Sequence, residues 1–450
     1  MTTTSETVYH VTVLSNFARA FDKYSRAYDK TLIAESTYPD QFFVLRRDEL
    51  AIGIEKAERL LKKLDMRGNR LLVLASEVDT SALHANERTG KGRYLAGPRL
   101  KVEHLFFPAE GGALAPVIVE EAYAASLALV SSSLVAYQDL APRSLSVLPI
   151  ARACQAACRF CFSESSASVE QMPHQLDLVH VEALCVSAKA RGAERFVITG
   201  GGEPGLVQHD QLLRLIRMGH RHFGKVVLIT NGVHLARLEE SDCQQRLTDY
   251  REAGLSVLSV SRHYHDAARN SDIMGLDTRT ERVLASRAEH PALEGLRLRL
   301  ICVLQKGGVE DARTLEDYVD WAVAQGVAEL CFKELYVSTT TESAYHANPE
   351  NQWSREHQVS LSLITEYFAR KGFEVASRLP WGAPVLAGRW NGRPLAVAAY
   401  TEPSLYWERS HGIARSWNIM ADGQCLVSLE DPASALPGTA TRKVISLQEI

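Results

Sequence analysis

From about Ser144 to Val337 the chain alternates short apolar runs with helical stretches of ordinary length. The runs are Leu145–Ile150, Arg195–Thr199, Val226–Thr230, Leu255–Val260, Leu296–Leu304 and Ala328–Phe332. Helical patterns begin near Leu178, His209, Cys243, Thr280 and Ala312. Strands that alternate with helices pair in parallel through right-handed crossovers, because a tight hairpin cannot join parallel neighbours. Six such units imply an α/β fold built on a partial (β/α)6 TIM-like barrel. Reactive groups in such folds sit at the C-terminal ends of the strands.

The flanks read differently. Residues 1–140 are expected to form an N-terminal α/β extension, residues 141–337 the barrel, and residues 338–450 a C-terminal β-rich cap. Val8–Leu14 and Leu71–Leu74 have strand character, and Glu49–Leu64 places Leu50, Ile54, Ala57, Leu60, Leu61 and Leu64 on one helical face. Glu87–Pro98 is a Gly-rich loop without the G-x-x-x-x-G-K-[ST] spacing of a phosphate loop. Beyond Val337, Thr339–Trp353 reads as a polar loop and Ser354–Lys371 as one helix with Ser354 as its N-cap. Phe373–Arg378, Leu395–Ala399 and Ser416–Met420 read as strands. Asp422–Gly423 reads as the hairpin turn between Trp417–Met420 and Cys425–Leu429.

Composition excludes several classes. Of 450 residues, 46% are hydrophobic and 23% charged, which suits a globular chain with a core and excludes disorder. The formal net charge is −4, so no global basic field holds a nucleic-acid backbone, and nucleic acid is not expected as a partner. No apolar run reaches 18 residues; Ala122–Val135, broken by Ser126 and Ser131, reads as a buried helix, and no membrane association is expected. The start MTTTSETVYH lacks the pattern of a signal peptide, so a cytoplasmic location is expected, where thiols stay reduced.

Eight cysteines are present, and three fall within eight residues. Cys154-Gln-Ala-Ala-Cys158-Arg-Phe-Cys161 directly follows the first barrel strand, which puts three thiols on one loop at the reactive end. Three soft sulfurs on a short loop suit either zinc or three irons of a [4Fe–4S] cluster. A zinc site wants a fourth protein ligand, for which His174 and Cys185 lie at unusual distances. A zinc-stabilised binding scaffold is the reading without enzyme chemistry.

The loop CQAACRFCF resembles the C-x-x-x-C-x-Φ-C signature of the radical S-adenosylmethionine (radical SAM) superfamily, with Phe160 in the aromatic slot. Gly201-Gly202-Glu203-Pro204, at the end of the second strand, resembles the family's G-G-E-P motif. The resemblance covers roughly residues 145–335. It implies a single [4Fe–4S] cluster on Cys154, Cys158 and Cys161, with SAM chelated at the fourth iron. It further implies reductive cleavage of the C5′–S bond of SAM and abstraction of hydrogen from a substrate by the 5′-deoxyadenosyl radical. An external reductant such as flavodoxin or ferredoxin supplies the electron.

On this resemblance Phe160, Gly201, Gly202, Glu203 and Pro204 contact SAM, the glycines by letting the backbone approach a ligand. Ser261 and Arg262, ending the fourth strand, are candidates for its ribose and carboxylate. Ile301 and Val303 are placed near its adenine, and Lys333 or Glu334 near substrate or SAM. His263 and His265 share a face if extended, which suits a substrate contact better than a second metal. Asn270…Met274-Gly275 resembles the family's N-x-x-I-M-G segment, a loop-shaping element. Cys185, Cys243, Cys302, Cys331 and Cys425 stand alone and read as buried packing residues, so no auxiliary cluster is expected.

The expected substrate is a small molecule of a biosynthetic pathway. A peptide, a tRNA or a cobalamin-dependent methyl transfer are the alternatives. Residues 1–140 lack the D-x-H-x-x-G signature of cobalamin binding, although Arg70–Val78 reads as a Rossmann-like strand. Trp381, Trp390, Tyr400, Tyr406, Trp407 and Trp417 enrich the C-terminal segment in side chains suited to a pocket wall.

Overall fold

A computed structural model describes residues 135–162, 176–288, 293–337, 348–379, 383–402, 408, 411–429 and 434–438, and the backbone of seven strands before residue 118. Glu49–Leu64, Glu87–Pro98, His174, Trp381, Tyr406 and Trp407 lie outside these residues, as does nearly all of Ala122–Val135. The chain divides into two compact units. One comprises Met1–Ala136 with Thr339–Thr341 and Ser404–Gly412; the other holds the remainder.

The first unit contains β1 (Ser5–Leu14), the short pair β2 (Phe21–Asp22) and β3 (Ala27–Tyr28), then β4 (Phe43–Leu45), β5 (Arg70–Asp79), β6 (Leu100–Pro108) and β7 (Leu114–Val117). Five of them form a sheet in the order β4-β1-β5-β6-β7, and every pairing in it is antiparallel. Arg70–Val78 is therefore a central strand of an antiparallel sheet. This corrects the Rossmann-like expectation, since that fold needs parallel neighbours and crossover helices.

In the second unit, β8 (Ala141–Pro142) precedes the six expected strands. These are β9 (Ser144–Val147), β10 (Arg195–Ile198), β11 (Val226–Thr230), β12 (Val257–Ser261), β13 (Arg297–Leu304) and β14 (Glu329–Glu334). All are parallel and adjacent in sequence order. The connecting helices are α1 (Leu178–Ala190), α2 (His209–His222), the short α3 (Val233–Ala236), α4 (Glu240–Glu252), α5 (Ala267–Met274), α6 (Thr280–Ala288) and α7 (Ala312–Ala324). Caps fix several starts: Asp177 accepts from Val179 N and Asp311 forms a capping box with Thr314.

Strand alternation sets the two faces. Phe196 and Ile198 are fully buried, and Phe196 lies so close to Gly219 of α2 that a Cβ there would meet its ring at 2.4 Å. Arg195 and Val197 therefore face the opposite, concave side. Register carries this face around the sheet through Val227, Ser259, Arg299 and Glu329.

The C-terminal segment is β-rich, and two of its strands extend the parallel sheet. After α8 (Pro349–His357) and α9 (Ser362–Arg370) come β15 (Glu374–Arg378), β16 (Pro384–Trp390), β17 (Arg393–Tyr400), β18 (Ile413–Ala414), β19 (Trp417–Ile419) and β20 (Cys425–Leu426). β17 pairs in parallel with β14 at one end, and β19 with β9 at the other. The Glu402 carboxylate, just past β17, meets both Lys333 and Arg415, just before β19. The two ends of the sheet thus curl toward each other, yet β17 and β19 share no ladder, which makes a partial barrel. The expected hairpin at Asp422–Gly423 is present, with Gly423 at φ 86°.

The expected single helix over Ser354–Lys371 is instead α8 and α9. Gln358 leaves the helix to bridge Gln305, and its side chain donates to Leu335 O at 3.2 Å. Ser354 is fully buried inside α8 rather than capping it; Asn348 and Pro349 start that helix. Trp390 packs on Tyr367 and Phe368 and donates to Asp320 at 2.7 Å, while Trp417 is fully buried beneath Arg191. Neither is a pocket wall; Tyr400 alone of the described aromatics in that set faces the concave side. No helix among the described residues is long and apolar enough to cross a membrane.

Candidate active site at the cysteine loop

The cysteine loop leaves β9 and is held from two sides. On one side, Gly202 N donates to Ile150 O at 2.9 Å and Glu203 N to Ala153 O at 2.8 Å. A Cβ on Gly201 would meet Ala151 O, and one on Gly202 would meet Ala153 O, each at 2.2 Å. These glycines are required because the loop after β10 lies backbone to backbone on the cysteine loop.

On the other side, α5 supplies Met274 O, which accepts from Ala157 N at 2.8 Å and from the Cys158 thiol at 3.8 Å. Gly275 follows at φ 60°, where a Cβ would also lie 3.0 Å from Ala157 Cβ. The fully buried Asn270 anchors α5, accepting from His263 N at 2.8 Å and donating to Thr278 at 3.2 Å. The segment from Asn270 to Gly275 is therefore a helix that braces the cysteine loop.

Cys154 is exposed, and Cys158 and Cys161 are half-buried. Burial, then the neighbouring Cys161 and Cys154 thiolates, push the Cys158 thiol up to about 12, and burial raises that of Cys154. The Cys154 and Cys158 thiols therefore resist ionising together unless a cation takes their charge. Among the described residues no three His, Cys, Asp or Glu side chains converge on one metal ion. The other five cysteines are buried, as expected.

Glu203 is only 3% exposed and its carboxylate ties two loops together. It accepts from Asn231 N at 2.8 Å, from Gly205 N at 2.7 Å and from the Thr230 hydroxyl. Its carboxylate is a brace between the ends of β10 and β11. Pro204 starts the following turn and is buried.

The sequence reading missed Asn231, in Thr230-Asn231-Gly232 at the end of β11. Its Oδ1 accepts from Val233 N at 3.0 Å, which fixes the amide. Nδ2 then donates to Gln155 at 3.2 Å and faces Cys154 Sγ at 3.9 Å. The signal was a short polar triplet with glycine at the C-terminal end of a barrel strand.

Arg262 corrects another expectation. Its side chain is 1% exposed and pairs with Glu281 at 2.7 Å. It also donates to Tyr264 O at 2.7 Å and His265 O at 2.8 Å and lies over the Trp321 ring. A guanidinium so enclosed has no surface for a ligand carboxylate. Arg262→Met should cost about 3 kcal/mol by stranding Glu281 and two carbonyls, read by denaturant unfolding, with SAM affinity of the folded variant unchanged by calorimetry. A tenfold loss of SAM affinity in a stable variant would restore Arg262 as a ligand.

Ser261 is half-buried at the end of β12. Ile301 is buried and Val303 half-buried on β13. Val303 N donates to His263 Nδ1 at 3.0 Å. His263 is 4% exposed, and its ring meets Phe160 edge-on at 5.0 Å; Phe160 also lies 6.3 Å from Trp353 of α8. His265 stacks on Tyr264, so the two histidines do not form a metal pair. Lys333 pairs with Glu402 at 2.6 Å, and Glu334 is half-buried beside it.

Burial holds His263 at about 3 and His234, which bonds Tyr250 at 3.1 Å, at about 4. Both stay neutral in the fold but take up protons when unfolded below about pH 6.5. Stability should therefore fall as pH drops from about 6.5 toward 4, by about 1.4 kcal/mol per pH unit per histidine. Unfolding midpoints across this range test it, and a flat profile would contradict it.

Residues 148–286 match the family model described as the radical SAM superfamily. Over 233 residues the chain is 27% identical to a GTP 3′,8-cyclase of Synechococcus elongatus, which covers 51% of this chain and 64% of that protein, less than two thirds of its length. Among solved structures, SuiB of Streptococcus suis bound to its precursor peptide SuiA aligns with a TM-score of 0.43 and 16% identity, over 64% of this chain and 60% of that one. A radical SAM methyltransferase from Sphaerobacter thermophilus aligns at 0.36 and 12%, over 74% of each chain. The matched segment opens at the end of β9 and carries the cysteine loop, its glycine brace and the helix behind it, and over that segment the chain is similar to the radical SAM superfamily.

Proposed function

We propose that this chain is a single-cluster radical SAM enzyme acting on a small molecule. The observation that carries this reading is the cysteine loop, built at the C-terminal end of a partial barrel and braced from both sides. The family implies a [4Fe–4S] cluster and SAM, and the donor set fits: three thiols on one loop, at separate positions, with the remaining five cysteines buried. Cys154, Cys158 and Cys161 would hold the cluster. When bound and reduced, that group supplies the electron that cleaves SAM to methionine and a 5′-deoxyadenosyl radical, with a flavodoxin or ferredoxin as external donor.

The chain's own residues do the positioning. Met274 O and the Gly201–Glu203 backbone hold the loop against the barrel end. Asn231 aims an amide donor at Cys154, which favours the thiolate. Phe160 and His263 form an apolar edge beside the loop that limits water. Ser261 lies at the same end and offers a hydroxyl to a ribose. By name the curated relative acts on GTP, which favours a small molecule over a peptide.

Deuterium-labelled metabolites and labelled peptides, incubated anaerobically with SAM, reductant and reconstituted protein, test the reading. Deuterium in 5′-deoxyadenosine from a small molecule supports it. Transfer only from a peptide would overturn it.

A further inference from the structure

A barrel interior is ordinarily filled with bulky branched apolar side chains. The concave face here is different. Arg195 on β10 lies beside Lys225, whose carbonyl accepts from Phe196 N at 2.9 Å. Arg299 on β13 lies on the same face and donates to the fully buried Ser259 at 2.8 Å. Around them the strands carry small residues: Ser144 and Ser146 on β9, Ala396 and Ala398 on β17.

The carboxylates nearby are already engaged. Glu329 pairs with Arg297 at 2.9 Å, and Glu402 binds both Lys333 and Arg415. Among the described residues Arg195, Lys225 and Arg299 make no ion pair. Burial and then the guanidiniums of Arg297, Arg299 and Arg195 hold Lys225 below the usual lysine range, so these cations feel one another. Like charges enclosed together destabilise a fold unless an anion joins them.

We propose that this concave face binds the phosphate group of a phosphorylated small-molecule substrate, gripped by Arg195 and Arg299 with Lys225 beside them. The inference rests on the proposed function and names its substrate class. Three unbalanced cations favour a phosphate ester, which carries about −1.5 to −2 charges at neutral pH, over a carboxylate carrying one. Guanidinium forks match phosphate oxygens in pairs. From Arg195 to Thr199, where the loop toward the cysteines begins, is four residues of strand, about 13 Å. A substrate anchored by phosphate at this depth presents its far end to the cysteine loop.

The test uses the full chain, reconstituted anaerobically, with pyrophosphate and acetate as probes at matched ionic strength. Pyrophosphate is expected to bind saturably by calorimetry and to raise the unfolding temperature, while acetate does neither. Arg195→Gln and Arg299→Gln should each weaken pyrophosphate binding at least about tenfold without lowering the unfolding temperature of the anion-free protein. Arg195 is half-buried, so its variant keeps the test alive if Arg299→Gln fails to fold. Pyrophosphate acting no better than acetate, or binding undiminished in Arg195→Gln, would overturn the inference. So would tighter binding of acetate, which assigns the face to a carboxylate. Substrate-free SAM cleavage in the same preparation separates the two claims. Cleavage without pyrophosphate binding overturns the phosphate site alone, and absent cleavage overturns the enzyme reading.

Discussion

Cys158→Ala is expected to abolish both cluster assembly and SAM cleavage. Each thiolate of the loop would hold a different iron, so losing one opens a second corner of the cubane, and the cluster is no longer retained. Cys158 is the member of the trio most tied to the scaffold, through Met274 O and the bond from Cys161 N to its own carbonyl at 3.0 Å. Iron should fall from about four per chain to well under one, and 5′-deoxyadenosine should drop by at least about a thousandfold. Cys185→Ala is the control: that thiol is buried in α1, and its loss should leave iron and cleavage intact. Iron retained in Cys158→Ala, or lost in Cys185→Ala, would contradict the ligand assignment.

Glu203→Ala is expected to be the most damaging change outside the trio. It strands Asn231 N, Gly205 N and the Thr230 hydroxyl, all in a buried setting. Unsatisfied buried donors cost about 1–3 kcal/mol each, partly offset by no longer burying a carboxylate, so a net loss of about 3–5 kcal/mol follows. Asn231 should shift with it, because its backbone is one of the stranded donors. Glu203→Gln keeps the shape and one acceptor and should cost less, about 1–3 kcal/mol. Thermal and denaturant unfolding of iron-free protein measures this without the cluster. An alanine variant as stable as the parent would show that the carboxylate does not brace these loops.

The barrel was legible in sequence because each strand carries a short apolar run, buried on its helix-facing side, and the runs alternate with helical stretches. The cysteine loop was legible because it is local. What could not be read is pairing between distant segments. β16 was missed, its run PVLAGRW interrupted by Gly388, which packs against the Phe373 ring. That β17 joins β14 and β19 joins β9 depends on register across the barrel, which no local pattern encodes. Arg262 was misread for the same reason. An arginine at a strand end looks available until Glu281, 19 residues on, and the Trp321 ring are found around it. The contacts of Gly201 and Gly202 with Ala151 and Ala153 are likewise invisible in the sequence, since they join loops after different strands.

The most direct test of the central claim is spectroscopic. Anaerobically reconstituted protein, reduced with dithionite, should show the electron paramagnetic resonance signal of a single reduced [4Fe–4S] cluster. Adding SAM should change that signal, and methionine and 5′-deoxyadenosine should then form in equal amounts. A colourless protein holding one zinc, or a cluster whose signal SAM leaves untouched with no 5′-deoxyadenosine formed, would contradict the account.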